Sequence, residues 1–501
     1  AASLIKNNIV AFSRIFIAGE TAAEACEKLR TLWRQGGAAT CDILGEAALS
    51  EKEAEHYLDL YLALASALAT EITGWPSRDP DFEALFPRLN LSVKVSSLFS
   101  RIGPVNYGES VAQVKERLRP IFRRVREAGG FVNLDMEMYS LKNITLDVFT
   151  ELLEEEEFRG WEGAGLALQS YLPETWDDLQ RLISWAEKSG RRATLRLIKG
   201  AYWEYETVMA RQKGWPIPVY AEKAHTDWNF ERCAELLLSR GDCVLAAIGS
   251  HNVRSLAFAM SVAERLEVRR DTFEFQMLYG MAEPVKLAVR RMGYAVREYV
   301  PIGELLPGMA YLVRRLLENT SNEGFLTRAF VGGESREALL APPSPPPEPS
   351  TPQAAEGVGP FANEPPLDFT GAARREACRD AIVRVRRELG RHYPAVIDGR
   401  EHFSAESIVS INPARPAEVI GTAAAVGRGE LEEAVAVARR VQPAWGALPA
   451  AERAAFLFRA AAIARSRRFQ LLAWQVLETG KSWVEADADV VEAIDYLEYY
   501  G

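Results

Sequence analysis

Short apolar or β-rich runs alternate with long amphipathic segments from Leu91 to about Phe330. The runs predict seven strands, which are Leu91–Ser96, Phe131–Glu137, Gly165–Tyr171, Ala193–Lys199, Cys243–Gly249, Phe273–Leu278 and Ala295–Val300. The segments between most of them are long enough for a crossover helix, as at Val111–Glu127. Strands that alternate with helices predict a parallel α/β sheet, and about seven or eight units in about 240 residues fit a closed (βα)8 TIM-like barrel better than an open doubly wound sheet.

The segment before these runs has a helical pattern. Glu20–Trp33 is rich in Ala, Glu and Leu, and Ser50-x-x-Glu53 has capping-box spacing ahead of an apolar run that begins at Tyr57. That run is about 13 residues long, which is too short to span a bilayer. We expect residues 1–75 to form a helical lead-in.

Proline marks a boundary in the second half of the chain. Ten of the 26 prolines lie between Pro342 and Pro366, and such a segment is stiff, extended and unable to bury a core. The expected divisions are a lead-in at 1–75, a barrel at 76–335, a linker at 336–371 and a second module at 372–501.

Composition narrows the class of protein. The chain is 48% hydrophobic and 26% charged, which is ordinary for a soluble globular protein. Acidic residues outnumber Lys and Arg by 69 to 59, and the net charge of -10 gives no overall attraction for nucleic acid. Five cysteines without a C-x-x-C pair predict a reducing compartment. We expect a cytoplasmic protein with no secretory leader and no nucleic-acid partner.

Common nucleotide and metal motifs are missing from the sequence. No G-x-G-x-x-G opens a helix after a strand, and no G-x-x-x-x-G-K-[ST] phosphate loop occurs. The five histidines are scattered without an H-E-x-x-H pair. The sequence therefore predicts neither a Rossmann site nor a metal site.

Polar residues on or just after the predicted strands are the first candidates for chemistry, because a (βα)8 barrel has its active site at the carboxyl ends of its strands. These residues are Lys94, Asp135, Gln169, Arg196, Lys199, His251, Asn252, Glu274 and Gln276. Charges of both signs on neighbouring strands form either a catalytic constellation or an ion-pair network that only neutralises buried charge. Both interpretations stay open at this point.

The last helix before the linker carries a polar stripe. Tyr311, Arg314, Arg315 and Glu318 recur at i, i+3, i+4 and i+7 and therefore share one face. The stripe is either a solvated face or a binding surface, since two adjacent arginines suit a substrate carboxylate.

Three separated motifs resemble the proline dehydrogenase barrel of bacterial proline utilization A. They are Leu195–Trp203, Phe273–Met281 and Tyr311–Phe325, they occur in the family's order, and the resemblance covers about residues 40–330. Further on, Ile411-Asn412-Pro413-Ala414 and Glu478-Thr479-Gly480-Lys481 look like the opening of the aldehyde dehydrogenase half of the same bifunctional enzyme.

The resemblance implies that the barrel holds FAD and oxidises L-proline to pyrroline-5-carboxylate. The residues that it places at the flavin are Gln169, Arg196, Lys199, Gly200, Ala201, Trp203, His251, Asn252, Glu274 and Glu318. The residues that it places at the substrate or in its support are Lys94, Asp135, Arg196, Tyr202, Tyr311, Arg314, Arg315 and Glu46.

The resemblance also implies a role for each substrate residue. Arg314 and Arg315 would hold the proline carboxylate, with Lys94 as a third positive group. Tyr202 and Tyr311 would wall the ring. Asp135 would hold a cation in place, and Glu46 would pair with the first arginine as a gate that excludes water.

The family implies further partners. Electrons would pass to quinone through transient, peripheral contact with the inner membrane surface, and the chain would form a homo-oligomer, expected as a dimer. The second half would oxidise glutamate semialdehyde with NAD, and its nucleophilic cysteine and NAD site are expected beyond Gly501.

Two other functions remain open. A Schiff-base aldolase or lyase on the same barrel would use Lys199 or Lys94 as its nucleophile and need no flavin. A non-catalytic chain would serve only as a scaffold. A bound yellow chromophore excludes the first, and turnover by the flavin-loaded protein excludes the second.

Overall fold

A computed structural model of the chain describes residues 15–45, 47–304, 308, 311–315, 335–347 and 361–501. The chain divides into two compact units. One comprises residues 1–208 and 217–349, and the other comprises residues 209–216 and 350–501. The described residues of the predicted lead-in, 15–45 and 47–75, therefore belong to the same unit as the predicted barrel.

Eight parallel strands of the first unit form a closed barrel in sequential order. They are β1 Ala38–Ile43, β2 Asn90–Val93, β3 Phe131–Leu134, β4 Ala164–Gln169, β5 Ala193–Ile198, β6 Val244–Gly249, β7 Glu274–Leu278 and β8 Ala295–Ile302. The pairing of β1 with β8 over six residues closes the ring. The predicted barrel is confirmed, and all seven predicted strands occur.

The prediction that the first 75 residues are all helical is wrong at 38–43, where β1 lies. This strand is Ala-Ala-Thr-Cys-Asp-Ile, which has small residues and two polar ones in place of a strong β-branched run. Its sequence carries little strand signal by itself, and pairing with β2 and β8 determines its conformation.

Helices alternate with these strands, as the sequence pattern predicts. They are α1 Ala22–Arg34, α2 Glu51–Glu71, α3 Pro80–Leu85, α4 Tyr107–Glu127, α5 Tyr139–Glu154, α6 Thr175–Ser189, α7 Trp203–Lys213, α8 Lys223–Ser239, α9 Val253–Arg265, α10 Glu283–Arg291 and α11 Arg336–Leu339. The cap predicted for α2 forms, with the Ser50 side chain accepting from the Glu53 amide. Two helices, α7 and α8, fill the long gap between β5 and β6.

Alternation along the strands separates a polar barrel interior from an apolar shell. The hydroxyls of Thr40 and Ser92 lie 3.0 Å apart inside the barrel. Leu91 and Val93, which alternate with Ser92, belong to the main hydrophobic core instead. The inward face can therefore carry charged groups to the carboxyl ends of the strands.

The second unit combines short strands with long helices. Its elements are α12 Ala372–Arg386, β9 Arg391–Tyr393, β10 Ala395–Ile397, β11 Arg400–His402, β12 Ser407–Asn412, β13 Arg415–Ala424, α13 Arg428–Gly446, α14 Ala450–Ser466, α15 Arg468–Thr479 and α16 Trp483–Tyr500. A small core joins α12, β13 and α15 through Val385, Ile420 and Leu477. Among the described residues, none of the helices has both the length and the apolar character needed to cross a bilayer.

Candidate active site

A charged cluster lies where several barrel strands end. Lys94 directly follows β2, and its ammonium is 2.5 Å from Oδ1 of Asp42 on β1. The same ammonium donates to the Tyr299 hydroxyl at 3.2 Å and lies 3.8 Å from Oδ2 of Asp135, which directly follows β3. Residues on β1 and β8 and residues that directly follow β2 and β3 thus contribute to one group of contacts.

Arg196 on β5 joins this cluster from the other side of the barrel. Its Nη1 donates to Oδ1 of Asp135 at 2.7 Å, and its Nη2 donates to the Ser92 hydroxyl at 3.0 Å. Tyr299 donates to the other oxygen of Asp135 at 2.7 Å. Asp135 therefore binds the Arg196 guanidinium and the Tyr299 hydroxyl at the same time. These contacts agree with the expectation that Asp135 holds a cation in place.

Burial and neighbouring charges set the ionisation of the cluster. Burial raises the pKa of Asp42 to about 6, with Lys94 opposing the rise and Asp135 adding to it. Burial alone would lower the pKa of Lys94, but the carboxylates of Asp42 and Asp135 outweigh it and raise that pKa. Lys94 is accordingly held as a cation, which suits anion binding and not nucleophilic attack.

Gln169 supplies neutral polar groups beside the cluster. It is the last residue of β4, is 1% exposed, and donates from Nε2 to the main-chain oxygen of Glu137 at 2.7 Å. Its Oε1 and the Nε of Arg196 are buried without a hydrogen-bond partner among the described residues. A free acceptor and a free donor in a buried position fit a planar ligand that carries both kinds of group, as the flavin ring of FAD does.

The chain after β5 passes close to its neighbours. A Cβ at Gly200 would lie 2.5 Å from the Tyr171 ring, so only glycine fits there. Lys199 pairs with Asp227 at 2.5 Å, and burial lowers its pKa. After Ala201 and Tyr202, the indole of Trp203 donates to the Tyr220 carbonyl at 2.8 Å.

The described part of the last helix, residues 311–315, brings its polar stripe to this segment. The guanidinium carbon of Arg314 lies 5.4 Å from the centre of the Tyr202 ring, and that of Arg315 lies 5.2 Å from the Tyr311 ring. Arg315 is 9% exposed, so the stripe is not simply a solvated face. Glu46 and Glu318 lie outside the described residues, and their assignments stay predictions.

His251 and Asn252 sit at the exit of β6, and both already serve the fold. Nε2 of His251 accepts from the Leu278 amide at 2.9 Å, and burial lowers the pKa of His251 to about 4. Oδ1 of Asn252 accepts from the Ser255 amide at 3.2 Å and caps α9. The imidazole is therefore a neutral group at the rim of the barrel.

Glu274 does not lie with the other predicted site residues. It is the first residue of β7 and pairs with Arg297 at 3.0 Å. Arg297 also donates to the carbonyl of Ala39, the second residue of β1. These contacts lie at the amino end of the strands, opposite the cluster, so the expectation that Glu274 lies at the active-site end is wrong. The sequence could have indicated this, because Glu274 lies near the start of the predicted strand Phe273–Leu278 and not near its carboxyl end.

Three residues of the cluster were missed by sequence reasoning. Asp42 lies on β1, which the sequence predicted as helix. Tyr299 lies on β8, which was predicted as a strand without a candidate site residue. Glu137, two residues after Asp135, binds Ser96 through both carboxylate oxygens. Tyr299 is two residues after Arg297, so both side chains lie on the same face of β8, and this spacing was the sequence signal that could have identified Tyr299 as inward-facing.

One group of potential metal ligands occurs among the described residues, away from this cluster. Glu187, Asp242 and Cys243 lie within reach of a common point. The Arg240 guanidinium forms ion pairs with both carboxylates. These acidic side chains already have a cationic partner.

The sequence matches two known protein families. Residues 25–328 match the family model described as proline dehydrogenase, and residues 401–501 match that of the aldehyde dehydrogenase family. The chain is 31% identical over 507 aligned residues to the bifunctional protein PutA of Escherichia coli, with 97% of this chain and 38% of that protein covered. It therefore spans well under half the length of this relative.

One further relative and one solved structure are also similar to this chain. The chain is also similar to 1-pyrroline-5-carboxylate dehydrogenase of Geobacillus kaustophilus, with 46% identity over 144 residues, 29% of this chain and 28% of that protein. A crystal structure of proline utilization A from Bdellovibrio bacteriovorus, inactivated by N-propargylglycine, matches with a TM-score of 0.94 and 43% identity. The match covers 99% of this chain and 52% of that one.

Proposed function

Since the chain belongs to the proline dehydrogenase family, we propose that its barrel is an FAD-dependent proline dehydrogenase that oxidises L-proline to pyrroline-5-carboxylate. The observation that carries the proposal is the buried array at the strand ends, in which Lys94 and Arg196 are held by Asp42, Asp135 and Tyr299. Fixed positive charge suits a substrate that carries a carboxylate.

Proline would be oriented by its carboxylate. Arg314 and Arg315 would grip the carboxylate oxygens, and the Lys94 ammonium would add a third positive charge. Tyr202 and Tyr311 would enclose the ring, since each already lies beside one of the arginines. Asp135 and Asp42 hold the cations and do not need to transfer a proton.

FAD, when bound, supplies the group that accepts the hydride from the carbon beside the ring nitrogen of proline. Gln169 and Arg196 would contact it through Oε1 and Nε, which have no hydrogen-bond partner among the described residues. The other residues that would hold it are Lys199, Gly200, Ala201, Trp203, His251, Asn252 and Glu318. The guanidinium of Arg196 would favour negative charge nearby. Glu274 is not proposed as a flavin contact, because it lies at the opposite end of the barrel.

The gate is a separate part of the proposal. Glu46 would pair with Arg314 over the bound substrate and limit the entry of water. Excluding water strengthens the interactions of Arg314, Arg315 and Lys94 with the substrate carboxylate.

We propose that residues 372–501 are the N-terminal part of a pyrroline-5-carboxylate dehydrogenase, separated from the barrel by a linker at 336–371. In the complete bifunctional enzyme, the second half would receive the barrel's product after its hydrolysis to glutamate semialdehyde and oxidise it to glutamate with NAD. Electrons from the barrel would pass to quinone at the inner membrane, with the protein cytoplasmic, peripherally associated and dimeric. The match of residues 401–501 to the aldehyde dehydrogenase family and the similarity of 144 residues of the chain to a 1-pyrroline-5-carboxylate dehydrogenase support this part.

The aldolase alternative is less favoured. Lys94 is held as a cation between two carboxylates. Burial lowers the pKa of Lys199, but its ammonium is paired with Asp227, which opposes the loss of the proton. A Schiff-base lysine must instead be neutral when it attacks.

The test is an anaerobic absorbance spectrum of the purified chain, loaded with FAD, before and after addition of L-proline. D-proline, which presents the same groups with the opposite hand, is the matched control. Bleaching of the flavin band by L-proline alone is expected. A flavin band that L-proline does not bleach would refute proline as substrate, and failure to bind FAD would return the Lys199 aldolase to first place.

A further inference from the structure

We propose that Glu137 is a positioning residue that holds the strand ends bearing Lys94 and Gln169 in one fixed arrangement. The inference rests on the proposed function, because Lys94 and Gln169 are there assigned to substrate and flavin. Glu137 lies in the loop Asp135–Met138, between β3 and α5, and it is 5% exposed.

The side chain of Glu137 anchors the loop after β2. Its Oε1 accepts from the Ser96 hydroxyl at 2.5 Å, and its Oε2 accepts from the Ser96 amide at 3.0 Å. Ser96 is two residues after Lys94, and Ser97 closes the same turn by donating to the Lys94 carbonyl at 2.7 Å. The carboxylate therefore fixes the backbone from which the Lys94 side chain extends.

The main chain of Glu137 anchors the end of β4. Its carbonyl accepts from Nε2 of Gln169 at 2.7 Å, which leaves Oε1 of Gln169 directed away from that contact. This hydrogen bond also defines which side of the Gln169 amide is the donor. Glu137 thus links a proposed substrate group and a proposed flavin group through a single residue.

The flanking residues restrain the same loop on both sides. Asp135 binds Arg196 and Tyr299, and the Tyr139 amide donates to Oε1 of Glu206 on α7 at 2.7 Å. Because the loop is held at both ends, it cannot easily relax, and the position of Glu137 therefore determines the positions of Ser96 and Gln169. The loop can therefore act as a rigid support, as a preorganised site requires.

Positioning fits Glu137 better than proton transfer does. Both of its carboxylate oxygens already accept hydrogen bonds from Ser96, and the side chain is buried. Burial raises the pKa of Glu137, while the Ser96 contacts and Lys94 oppose the rise. A base acting on substrate would need an oxygen directed at the substrate nitrogen.

The chain offers a matched control for Ser96 in the loop after β2. Ser100 donates its amide and its hydroxyl to Glu51, just as Ser96 donates both groups to Glu137. Glu51 begins α2, and its hydrogen-bond partners among the described residues are Ser100 and Arg117, neither of which is a proposed site residue. S100A therefore removes an equivalent hydroxyl contact outside the site. S96A removes one of the two Glu137 contacts within it.

The experiment compares E137A, E137Q, S96A and S100A in the FAD-loaded chain by steady-state kinetics with L-proline and by hydrogen exchange of the Ser96 amide. We expect E137A to raise KM for proline about tenfold or more, with kcat less affected, since loss of support displaces Lys94. E137Q keeps an acceptor oxygen for the Ser96 amide and should stay within about threefold of wild type. S96A should fall between them, and S100A should match wild type.

Four results would overturn the proposal. E137A with a lower melting temperature but unchanged KM would show a merely structural role, and E137Q as impaired as E137A would show that charge is required. Equal KM increases in S96A and S100A would show that any serine contact in the loop has the same effect. If wild type fails to reduce its flavin with proline, the proposed function fails, and unchanged Ser96 exchange in E137A would then refute the positioning role by itself.

Discussion

Acid should destabilise the barrel through a single neutral histidine. Nε2 of His251 accepts the Leu278 amide at 2.9 Å, so a proton on that nitrogen would break the contact. Burial, with the nearby charges of Lys286 and Arg315, lowers the pKa of His251 from 6.5 to about 4. The perturbation is therefore a change of pH between these two values.

The sign of the effect follows from proton counting. In the unfolded chain the imidazole binds a proton below pH 6.5, whereas the folded protein resists it until about pH 4. The unfolded state then holds more protons within this window, and the free energy of unfolding falls as the pH falls. At about 1.4 kcal/mol per pKa unit the full loss approaches about 3 kcal/mol at pH 4, and about 2 kcal/mol of it is present at pH 5.

The assay is denaturant-induced unfolding at pH 7 and pH 5 for wild type, H251Q and H56Q. Glutamine can still accept the Leu278 amide but does not titrate, so H251Q should lose about 2 kcal/mol less than wild type on acidification. His56 is exposed on α2, which makes H56Q the matched replacement. Parallel losses in wild type and H251Q would refute the reasoning.

Other substitutions test separate parts of the site. R314A should weaken proline binding by about 2 to 4 kcal/mol while flavin stays bound, because the proline carboxylate would be buried without its partner. A titration of the flavin spectrum with proline measures this affinity, and an unchanged affinity would show that the proline carboxylate is wrongly assigned to Arg314. D135N should lower the free energy of unfolding by roughly 3 to 5 kcal/mol, because Arg196 stays buried without its carboxylate, and denaturant unfolding that matches wild type would contradict this. E274Q should destabilise by a similar amount, roughly 3 to 5 kcal/mol, through Arg297 but leave flavin content and KM for proline unchanged. A loss of flavin in E274Q would contradict its location at the amino end of the barrel.

Local pattern was enough to predict most of the barrel. Seven strands were predicted because each carries its own apolar or β-branched run, and the capping spacing of Ser50 and Glu53 predicted the start of α2. Ala38–Ile43 was missed because small and polar residues give no such run. Its strand conformation depends on neighbours that lie far away in sequence.

The candidate site was predicted only in part for the same reason. Lys94, Asp135 and Arg196 were found because barrel architecture identifies residues at strand ends, although the strands stop just before Lys94 and Asp135. Asp42 and Tyr299 are 52 and 205 residues from Lys94, and no local pattern connects them to it. Their roles emerge only when the ring closes.

The sequence by itself determined the barrel class, the family resemblance and the identity of the chemical groups, because these depend on local patterns and motifs. Tertiary structure decided which of those groups meet. Closure of β1 against β8 brings Asp42 and Tyr299 to Lys94, and the direction of β7 places Glu274 at the opposite end. Charges interact over a few ångströms, so only the folded arrangement determines which cation each carboxylate holds.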